Sequence, residues 1–341
     1  MRTPFNELEL DELIAQPSGQ LVEFFKRMPG DLSILGANGK IGLSLCLMAK
    51  KAIEKAGVNK KVYAVSRFSD SAGRKKLEEW GIETIACDLS DREQLKKLPL
   101  TENVVFMAGR KFGTEGSEPQ TWAMNVLMPS YCAEYYKDSR IVAFSTGCVY
   151  PLVSKQSGGS VETDHPDPVG EYAQSCLGRE RVFEYFSQKN NTPVLLLRLN
   201  YSTDLRYGVL SDIGRKIWQD ETVVSGVEYF NILWQGDANN YTLLALDHCT
   251  SPANYLNITG TEILSVKDVA EEMARIMGKK LELQIPSADT SYLNNSSKAF
   301  GYFGTPSVPA KELIRMQAEW IMQGGRELNK PTHFEVNNGK Y

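Results

Sequence analysis

Short apolar segments alternate with longer amphipathic ones along the first 200 residues. The short segments are apolar at nearly every position, which is typical of strands buried on both faces of a parallel sheet. In the longer segments apolar residues recur every three or four positions, which predicts helices with one buried face. The predicted strands cover 33–35, 62–66, 82–87, 103–108, 140–146 and 193–199, and predicted helices lie between them at 41–48, 72–80, 92–97, 120–136 and 171–188.

This alternation predicts an α/β fold with a doubly wound parallel (Rossmann) sheet and a smaller C-terminal substrate lobe. Residues 1–30 read as an N-terminal appendage of two short helices, and 31–200 as a dinucleotide-binding domain. The pattern loosens over 201–341, where helices are predicted at 211–219, 266–277 and 311–324 and a strand at 241–246. We expect most of this part to bind substrate, with some segments returning to the main domain.

Composition narrows the possible partners of this 341-residue chain. A net charge of -4 provides no general attraction to nucleic acid or to an anionic membrane. Six scattered cysteines and three histidines indicate neither a disulfide framework nor a metal site, and they fit a reducing compartment. The first 16 residues lack the layout of a signal peptide, and no apolar run spans a membrane. We therefore expect a cytoplasmic protein.

A glycine-rich turn follows the first predicted strand, with Gly36, Gly39 and Gly42 spaced three apart. Gly36 allows a tight turn, Gly39 allows a pyrophosphate to approach the backbone, and Gly42 allows close packing of the helix. The helix N-terminus offers unpaired N–H groups to the phosphates. We expect the turn to bind a dinucleotide through Gly36, Asn38, Gly39, Lys40, Ile41 and Gly42. The alternative is a glycine-rich turn without a ligand.

The second strand ends in Ser66 and Arg67, where a carboxylate would normally accept the adenosine ribose hydroxyls of NAD. A hydroxyl and a guanidinium, with Arg74 and Lys75 nearby, suit a 2'-phosphate better. The expected cofactor is therefore NADP, with NAD as the alternative. In the other interpretation, Arg67 stacks on adenine or faces water.

Further motifs follow the later strands in a fixed order. These are Asp88-Leu89, Ala108-Gly109, Asn125-Val126, Ser145-Thr146 with Val149-Tyr150, Tyr172 within a helix, Gly236-Asp237 with Asp247, Asn257-Ile258-x-Gly260 and Ser297-Lys298-Ala299. Together with the glycine turn, this combination resembles the extended short-chain dehydrogenase/reductase family, which contains NAD-dependent epimerases and dehydratases. The resemblance covers roughly residues 31–305.

The resemblance implies roles for individual residues. Asp88 and Leu89 would flank the adenine, and Ala108, Gly109 and Asn125 would contribute to the cofactor site. Thr146 and Tyr172 would hold the substrate oxygen, with Tyr172 acting as general acid/base beside the nicotinamide. Ser145 and Asn200 would lie at the substrate, and the helices around 122–136 and 172–186 would form a homodimer interface.

One departure concerns the family pattern Tyr-x-x-x-Lys, because Cys176 stands four residues after Tyr172. A cation about 5 Å from a phenol favours the phenolate by roughly 3 kcal/mol, so Tyr172 alone is a poor base at neutral pH. Lys111, or Arg110 beside it, is a candidate substitute cation; otherwise both bind phosphate or face solvent. Arg179, two helical turns beyond Tyr172, is expected to be too distant. Cys176 is expected to pack in the interior rather than act as a nucleophile.

A second departure concerns the substrate. Nucleotide-sugar enzymes of this family commonly have an arginine that grips the diphosphate where this chain has Asn239. Losing a bidentate phosphate contact disfavours a diphosphate substrate. The sequence therefore favours a free sugar, sugar acid or lactone over a nucleotide sugar, with Asn239 among its contacts.

Two functions remain open at this point. The first is an NAD(P)-dependent oxidoreductase or epimerase acting on a carbohydrate-like substrate through Thr146, Tyr172 and Lys111. The second is a non-catalytic NAD(P)-binding protein, such as a redox sensor or scaffold, that has lost the lysine. Retention of Thr146 and Tyr172 favours the enzyme, whereas Cys176 favours the binding protein.

Overall fold

The computed structural model describes residues 1–111, 113, 116–285, 290–330 and 332–334. Up to residue 135 its helices and strands are α1 (Glu7–Ile14), α2 (Gly19–Arg27), β1 (Leu32–Leu35), α3 (Gly42–Ala56), β2 (Val62–Ser66), α4 (Ser71–Glu79), β3 (Glu83–Ala86), α5 (Arg92–Leu95), β4 (Asn103–Phe106), α6 (Glu118–Trp122) and α7 (Met128–Tyr135). A π-helical turn, Ala123–Leu127, joins α6 to α7.

From residue 140 onwards the chain continues with β5 (Arg140–Thr146), β6 (Val153–Ser154), α8 (Gly170–Asn190), β7 (Val194–Leu199), β8 (Ser202–Thr203), α9 (Val209–Trp218), β9 (Val223–Val224), β10 (Tyr229–Phe230), β11 (Leu233–Trp234), α10 (Gln235–Leu244), β12 (Asn254–Ile258), β13 (Leu264–Ser265), α11 (Val266–Met277), β14 (Leu283–Gln284), β15 (Thr290–Ser291), α12 (Ser297–Phe303) and α13 (Ala310–Met322). Three short 3-10 turns, Gly147–Val149, Lys155–Ser157 and Ala245–His248, complete this half.

Seven strands form one sheet in the order β12-β7-β5-β4-β1-β2-β3, and every neighbouring pair is parallel. Successive residues of a strand point to opposite faces, so Ile34 lies in one core cluster and Leu35 in another. One cluster packs the sheet against α2, α3 and α10, and the other packs it against α7 and α8. The predicted doubly wound parallel sheet is confirmed.

A third core cluster lies outside the sheet and is built by α1, α9, α11 and α13. Leu10 and Ile14 of α1 belong to it, whereas Phe24 and Phe25 of α2 pack on the main sheet. The first 30 residues thus divide between two cores. The division into an appendage, a dinucleotide domain and a substrate lobe stays a prediction, and residues 335–341 of that lobe lie outside the described residues.

The predicted strand at 241–246 is wrong, because these residues form the end of α10 and a 3-10 turn. Every residue of α10 is buried. A helix that is buried all round has no polar stripe, so its sequence lacks the helical period. The run Tyr241 to Leu246 therefore resembles a buried strand when only its hydrophobicity is considered.

Within the described residues, no helix combines the length and hydrophobicity needed to cross a membrane.

Candidate active site

Two adjoining cavities follow the carboxyl edge of the sheet. The inner cavity, about 370 Å³, includes Lys40, Lys111, Thr146, Tyr172 and Asn200 in its wall. The outer cavity, about 330 Å³, includes Asn38, Ser66, Arg67, Asp88, Leu89 and Ala108. Both are lined by Gly36, Gly39, Met107 and Gly109, so they form one continuous groove. Ligands of open parallel sheets bind at this edge.

The glycine turn supplies the middle of the groove. Gly36 has φ +95°, and a Cβ there would lie 2.7 Å from the Ala108 backbone nitrogen, so glycine is required on both grounds. A Cβ on Gly39 would meet only the Gly36 carbonyl oxygen, at 3.4 Å, so Gly39 leaves open space facing both cavities.

Gly42 lines neither cavity. Its missing Cβ would lie 2.3 Å from the carbonyl oxygen of Ala37, so Gly42 closes the turn itself and is not a ligand contact. Helix α3 starts there, and its N-cap residue Ile41 makes no capping hydrogen bond through its side chain. An open glycine cradle at an uncapped helix N-terminus fits a dinucleotide pyrophosphate.

Arg67 is the cation that faces the outer cavity. Its side chain is exposed and makes no ion pair with the residues described. Arg74 and Lys75 instead pair with Glu78 and Glu79 on the outer side of α4, at 2.9 and 3.8 Å. The preference for a 2'-phosphate therefore depends on Arg67 and draws no support from the other two cations.

Tyr172 and Thr146 meet in the inner cavity. Burial raises the pKa of Tyr172 well above its usual range, and the Thr146 side chain lowers it by a smaller amount. The Lys111 ammonium lies 5.9 Å from the centroid of the Tyr172 ring. Burial lowers the pKa of Lys111, so this side chain loses its positive charge at a lower pH than an exposed lysine does.

Cys176 is 1% exposed and packs with Val149, Tyr150 and Tyr172. Burial raises the pKa of its thiol, so a nucleophilic thiolate is disfavoured. These contacts agree with the expected packing role.

Asn125 lies outside both cavities, contrary to the expected cofactor contact. It is fully buried on the π-helical turn, where its carboxamide accepts from the Arg110 amide at 2.8 Å and donates to the Arg110 carbonyl at 2.8 Å. The same amide nitrogen donates to Ser175 Oγ at 2.9 Å. Asn125 thus holds the loop after β4 against α8, which positions the cavity wall.

Arg179 lines the same cavity as Tyr172 and its charge lowers the Tyr172 pKa, contrary to the expectation that it is too distant to act on Tyr172. Seven helical residues advance about 10 Å, but an arginine side chain spans much of that distance. The guanidinium passes beneath Gly109, whose absent Cβ would lie 2.3 Å from Arg179 Nη2. Helical spacing alone therefore underestimated the reach of this side chain.

The predicted substrate residues have different surroundings. Ser145 lines the inner cavity, but its hydroxyl donates to the Glu180 carboxylate at 2.5 Å. Asn200 also lines it, and its amide donates to the Tyr292 carbonyl at 3.2 Å. Asn239 is fully buried in α10, lies in the wall of neither cavity and donates to Ser44 Oγ at 3.0 Å. Its expected substrate contact is therefore corrected to a contact between helices α10 and α3.

A buried ion pair joins α8, the helix that contains Tyr172, to strand β7 of the sheet. Glu180 of α8 and Arg198 of β7 pair at 2.7 Å, and both side chains are almost completely buried. Arg198 also donates to the Tyr150 hydroxyl, which donates to Asn257 Oδ1 at 2.9 Å. This network fixes the helix that carries Tyr172 to the strand beside β5.

Sequence reasoning missed several residues in the inner cavity wall, among them Tyr207, Gln235 and Thr332. Tyr207 lies under Lys40, whose ammonium is 3.4 Å from the ring centroid. Thr332 comes from the far end of the chain, where its backbone N–H and hydroxyl donate to Asp212 at 2.9 and 2.6 Å. Neither spacing nor periodicity indicates this return of the chain.

No group of three His, Cys, Asp or Glu side chains able to hold a metal occurs among the described residues.

Comparison with known proteins agrees with this arrangement. Several solved structures share the fold, although none of the curated proteins matches the chain in sequence. A dTDP-glucose 4,6-dehydratase from Bacillus anthracis has a TM-score of 0.72 at 16% identity, with 86% of this chain and 96% of that chain covered.

Two epimerases are similar to the same extent. A UDP-glucuronic acid 4-epimerase from Bacillus cereus has a TM-score of 0.69 at 18% identity. A UDP-glucose 4-epimerase from Thermotoga maritima has a TM-score of 0.70, also at 18% identity. Each comparison covers 86% of this chain and 99% of the other. At such low identity these likenesses concern the fold.

Residues 32–202, half of the chain, match the family model described as "NAD dependent epimerase/dehydratase family". The match contains the glycine turn, Thr146, Tyr172 and most of the groove, so the resemblance read from the motifs is confirmed. The chain belongs to the NAD-dependent epimerase/dehydratase family.

Proposed function

We propose that this protein is an NAD(P)-dependent oxidoreductase or epimerase that acts on a carbohydrate-like substrate. The observation that carries the proposal is the placement of Thr146 and Tyr172 in a cavity continuous with the glycine cradle. A bound nicotinamide dinucleotide would supply the hydride acceptor and donor. The Gly36 to Ile41 turn would hold its pyrophosphate, and Ser66, Arg67, Asp88 and Leu89 its adenosine half.

Residues of the inner cavity would orient the substrate, transfer the proton and provide positive charge. The Thr146 hydroxyl orients a substrate oxygen beside the Tyr172 hydroxyl, which lines the same cavity. The phenolate of Tyr172 takes a proton from that oxygen when a carbonyl forms, and the resulting phenol returns the proton when the carbonyl is reduced. Lys111 adds positive charge on the side of the loop after β4.

The charge of the inner cavity indicates the kind of substrate. Its described lining includes Lys40, Arg110, Lys111 and Arg179 but no aspartate or glutamate. Such a surface favours an anionic occupant beyond the hydride-transfer centre. Sugar acids and nucleotide sugars both carry the required negative charge.

The sequence disfavours nucleotide sugars because Asn239 stands where related enzymes have a phosphate-binding arginine. Asn239 lies away from the cavity, so this reason for excluding nucleotide sugars does not apply. The solved epimerases and dehydratase with this fold are named for UDP- or dTDP-sugars. We therefore keep the carbohydrate-like substrate and include nucleotide sugars in the proposal.

Tyr172→Phe tests the enzyme assignment. Sugars, sugar acids, lactones and nucleotide sugars are screened for a change in nicotinamide absorbance with wild-type protein and with the variant. Loss of the acid/base hydroxyl should lower kcat by at least about a hundredfold while cofactor affinity is retained. Activity unchanged in Tyr172→Phe would refute the assigned acid/base. Cofactor binding without turnover of any compound would favour the non-catalytic alternative.

NADP remains our proposed cofactor on the strength of Arg67, although the similar solved structures include complexes with NAD. Removing one charge-assisted contact costs about 1.5–3 kcal/mol, or roughly ten- to a hundredfold in affinity. Arg67→Ala should weaken NADP binding by this factor and change NAD binding little, as measured by calorimetry. Arg74→Ala, which removes a guanidinium paired with Glu78, is the matched control. Wild-type protein that binds NAD as tightly as NADP would contradict the proposal.

Lys40 should make cofactor binding dependent on pH. Burial, followed by the charges of Lys111 and Lys330, lowers the pKa of Lys40 to about 7. The free protein therefore loses this charge as the pH rises through about 7, whereas a bound pyrophosphate favours the charged form. NADH affinity should fall by up to about tenfold between about pH 6 and about pH 9.

The measurement is a fluorescence titration with NADH, which lacks the titrating 2'-phosphate of NADPH. Lys40→Gln should flatten the pH profile, whereas Lys50→Gln, on the solvent side of α3 beside Glu54, should leave it unchanged. An equal slope in Lys40→Gln and wild type would exclude this role for Lys40.

We also propose a homodimer formed through residues 122–136 and 172–186, which comprise the end of α6, the π-helical turn, α7 and most of α8. These elements pack side by side and leave large apolar side chains exposed: Trp122 by 39%, Leu127 by 51% and Tyr185 by 57%. Light scattering should give twice the 38.1 kDa of one chain. Leu127→Glu should shift the particle to the monomer mass, and Leu100→Glu, which changes a more exposed leucine elsewhere, should not. A wild-type monomer at micromolar concentration would overturn this assembly.

The cytoplasmic location remains a prediction, and the six cysteines, all of which lie in the described part of the chain, form no disulfide.

A further inference from the structure

Arg179 is a buried cation held by neutral partners. Its side chain donates to the Asn125 carbonyl at 3.3 Å, to the Phe144 carbonyl at 3.0 Å and to Asn125 Oδ1 at 2.6 Å. The residue is 6% exposed. Within the part of the chain that the structure describes, no carboxylate forms an ion pair with it. A buried charge without a counter-charge is costly, so its retention calls for an explanation.

The surrounding chain is shaped to hold the guanidinium in place. Gly109 leaves room for Arg179 Nη2, and the π-helical turn presents both the backbone and the side-chain oxygen of Asn125 to it. Such turns are frequent at functional sites. Three fixed acceptors on two elements define one position for the charge, in the wall of the inner cavity.

We propose that Arg179 is the resident cation of the Tyr172 site and acts through the Tyr172 hydroxyl, in place of a lysine at position 176. It is a positioning residue, and the inference depends on the proposed function only in giving Tyr172 an acid/base task. During proton transfer the fixed positive charge stabilises the phenolate of Tyr172. Arginine does not lose its proton, so this charge persists at every pH at which the protein is folded.

The groups around Tyr172 differ in how they act on it. Burial raises the pKa of the phenol most strongly, Cys176 on α8 and Cys148 after β5 raise it further, and Arg179 and Thr146 lower it. Arg179 also lowers the pKa of Cys176 against the larger effect of burial. Among the described residues, Lys111 is a second cation near the ring, with its ammonium 5.9 Å from the ring centroid. The test must therefore separate Arg179 from Lys111.

The experiment measures the ionisation of Tyr172 directly. Protein labelled with 3-fluorotyrosine is titrated by fluorine NMR, and the Tyr172 resonance is the one missing from Tyr172→Phe. Fluorination makes the phenol more acidic, which brings a raised pKa closer to the accessible range. No cofactor or substrate is needed, so a failed substrate screen and a failed inference are distinguishable.

Arg179→Gln removes the charge but keeps an amide donor for Asn125. It should raise the midpoint of Tyr172 by about one pKa unit or more. Arg179→Lys keeps the positive charge, so the Tyr172 midpoint should rise by less than half as much as in Arg179→Gln. Arg181→Met removes an exposed arginine on the same helix, paired with Glu184 at 2.9 Å, and should have no effect. Cys176→Lys combined with Arg179→Gln should return the midpoint toward the wild-type value.

Two outcomes would overturn the proposal: an unchanged midpoint in folded Arg179→Gln, or a shift in Lys111→Met that exceeds it. Circular dichroism and thermal unfolding check that each variant is folded. If Arg179→Gln does not fold, Gly109→Ala provides the second variant. The added Cβ would lie 2.3 Å from Arg179 Nη2 and would therefore push the guanidinium away from its present position. The Tyr172 midpoint should then rise in the same direction, and a midpoint equal to wild type would contradict the inference.

Discussion

The groove depends on how closely two turns approach each other at the carboxyl edge of the sheet. Gly36 after β1 lies against Ala108 after β4, and a Cβ on Gly36 would come within 2.7 Å of the Ala108 nitrogen. Parallel pairing of β1 with β4 fixes this approach, because both strands end at the same edge. The close approach brings the phosphate-binding turn beside the loop that contains Gly109 and Lys111.

The second constraint is the attachment of α8 to the sheet. The Glu180–Arg198 pair is buried on both sides, and loss of one partner from such a pair typically costs about 3–5 kcal/mol. Asn125 provides a further link through Arg110 and Ser175. Tyr172 and Arg179 lie on the same helix and are therefore held in one geometry relative to β5 and Thr146. A site built on a helix and a strand in this way is more precise than one built on loops.

Much of the fold was predictable because local pattern and tertiary burial agree. The strands at 62–66 and 140–146 and the helix at 266–277 have the predicted bounds. The disagreement at α10 has a physical cause, since a helix buried on every side loses the amphipathic period. Glycine spacing and the order of motifs also indicated the groove, because parallel strands place their following turns together.

The misplaced site residues share a different cause. Asn125 and Asn239 stand at family positions, yet their amides are used in packing, which depends on neighbours distant in sequence. Arg179 was underestimated because helical spacing describes backbone advance and ignores side-chain length. Thr332 reaches the cavity wall because the last described segment of the chain folds back and donates a hydrogen bond to Asp212. No local sequence pattern predicts this contact. Long-range contacts, rather than residue types, therefore limited the prediction of the site.

The central claim is that the Gly39 part of the groove holds a nicotinamide dinucleotide. Calorimetric titration of NAD and NADP into wild-type protein and Gly39→Val tests this claim most directly. The φ of Gly39 lies outside the left-handed region and an added Cβ would meet only the Gly36 oxygen, at 3.4 Å, so valine should fill the groove without unfolding the turn. The account predicts one dinucleotide per chain in the wild type and none in folded Gly39→Val. Equal binding by both proteins, or no binding by the wild type, would contradict it.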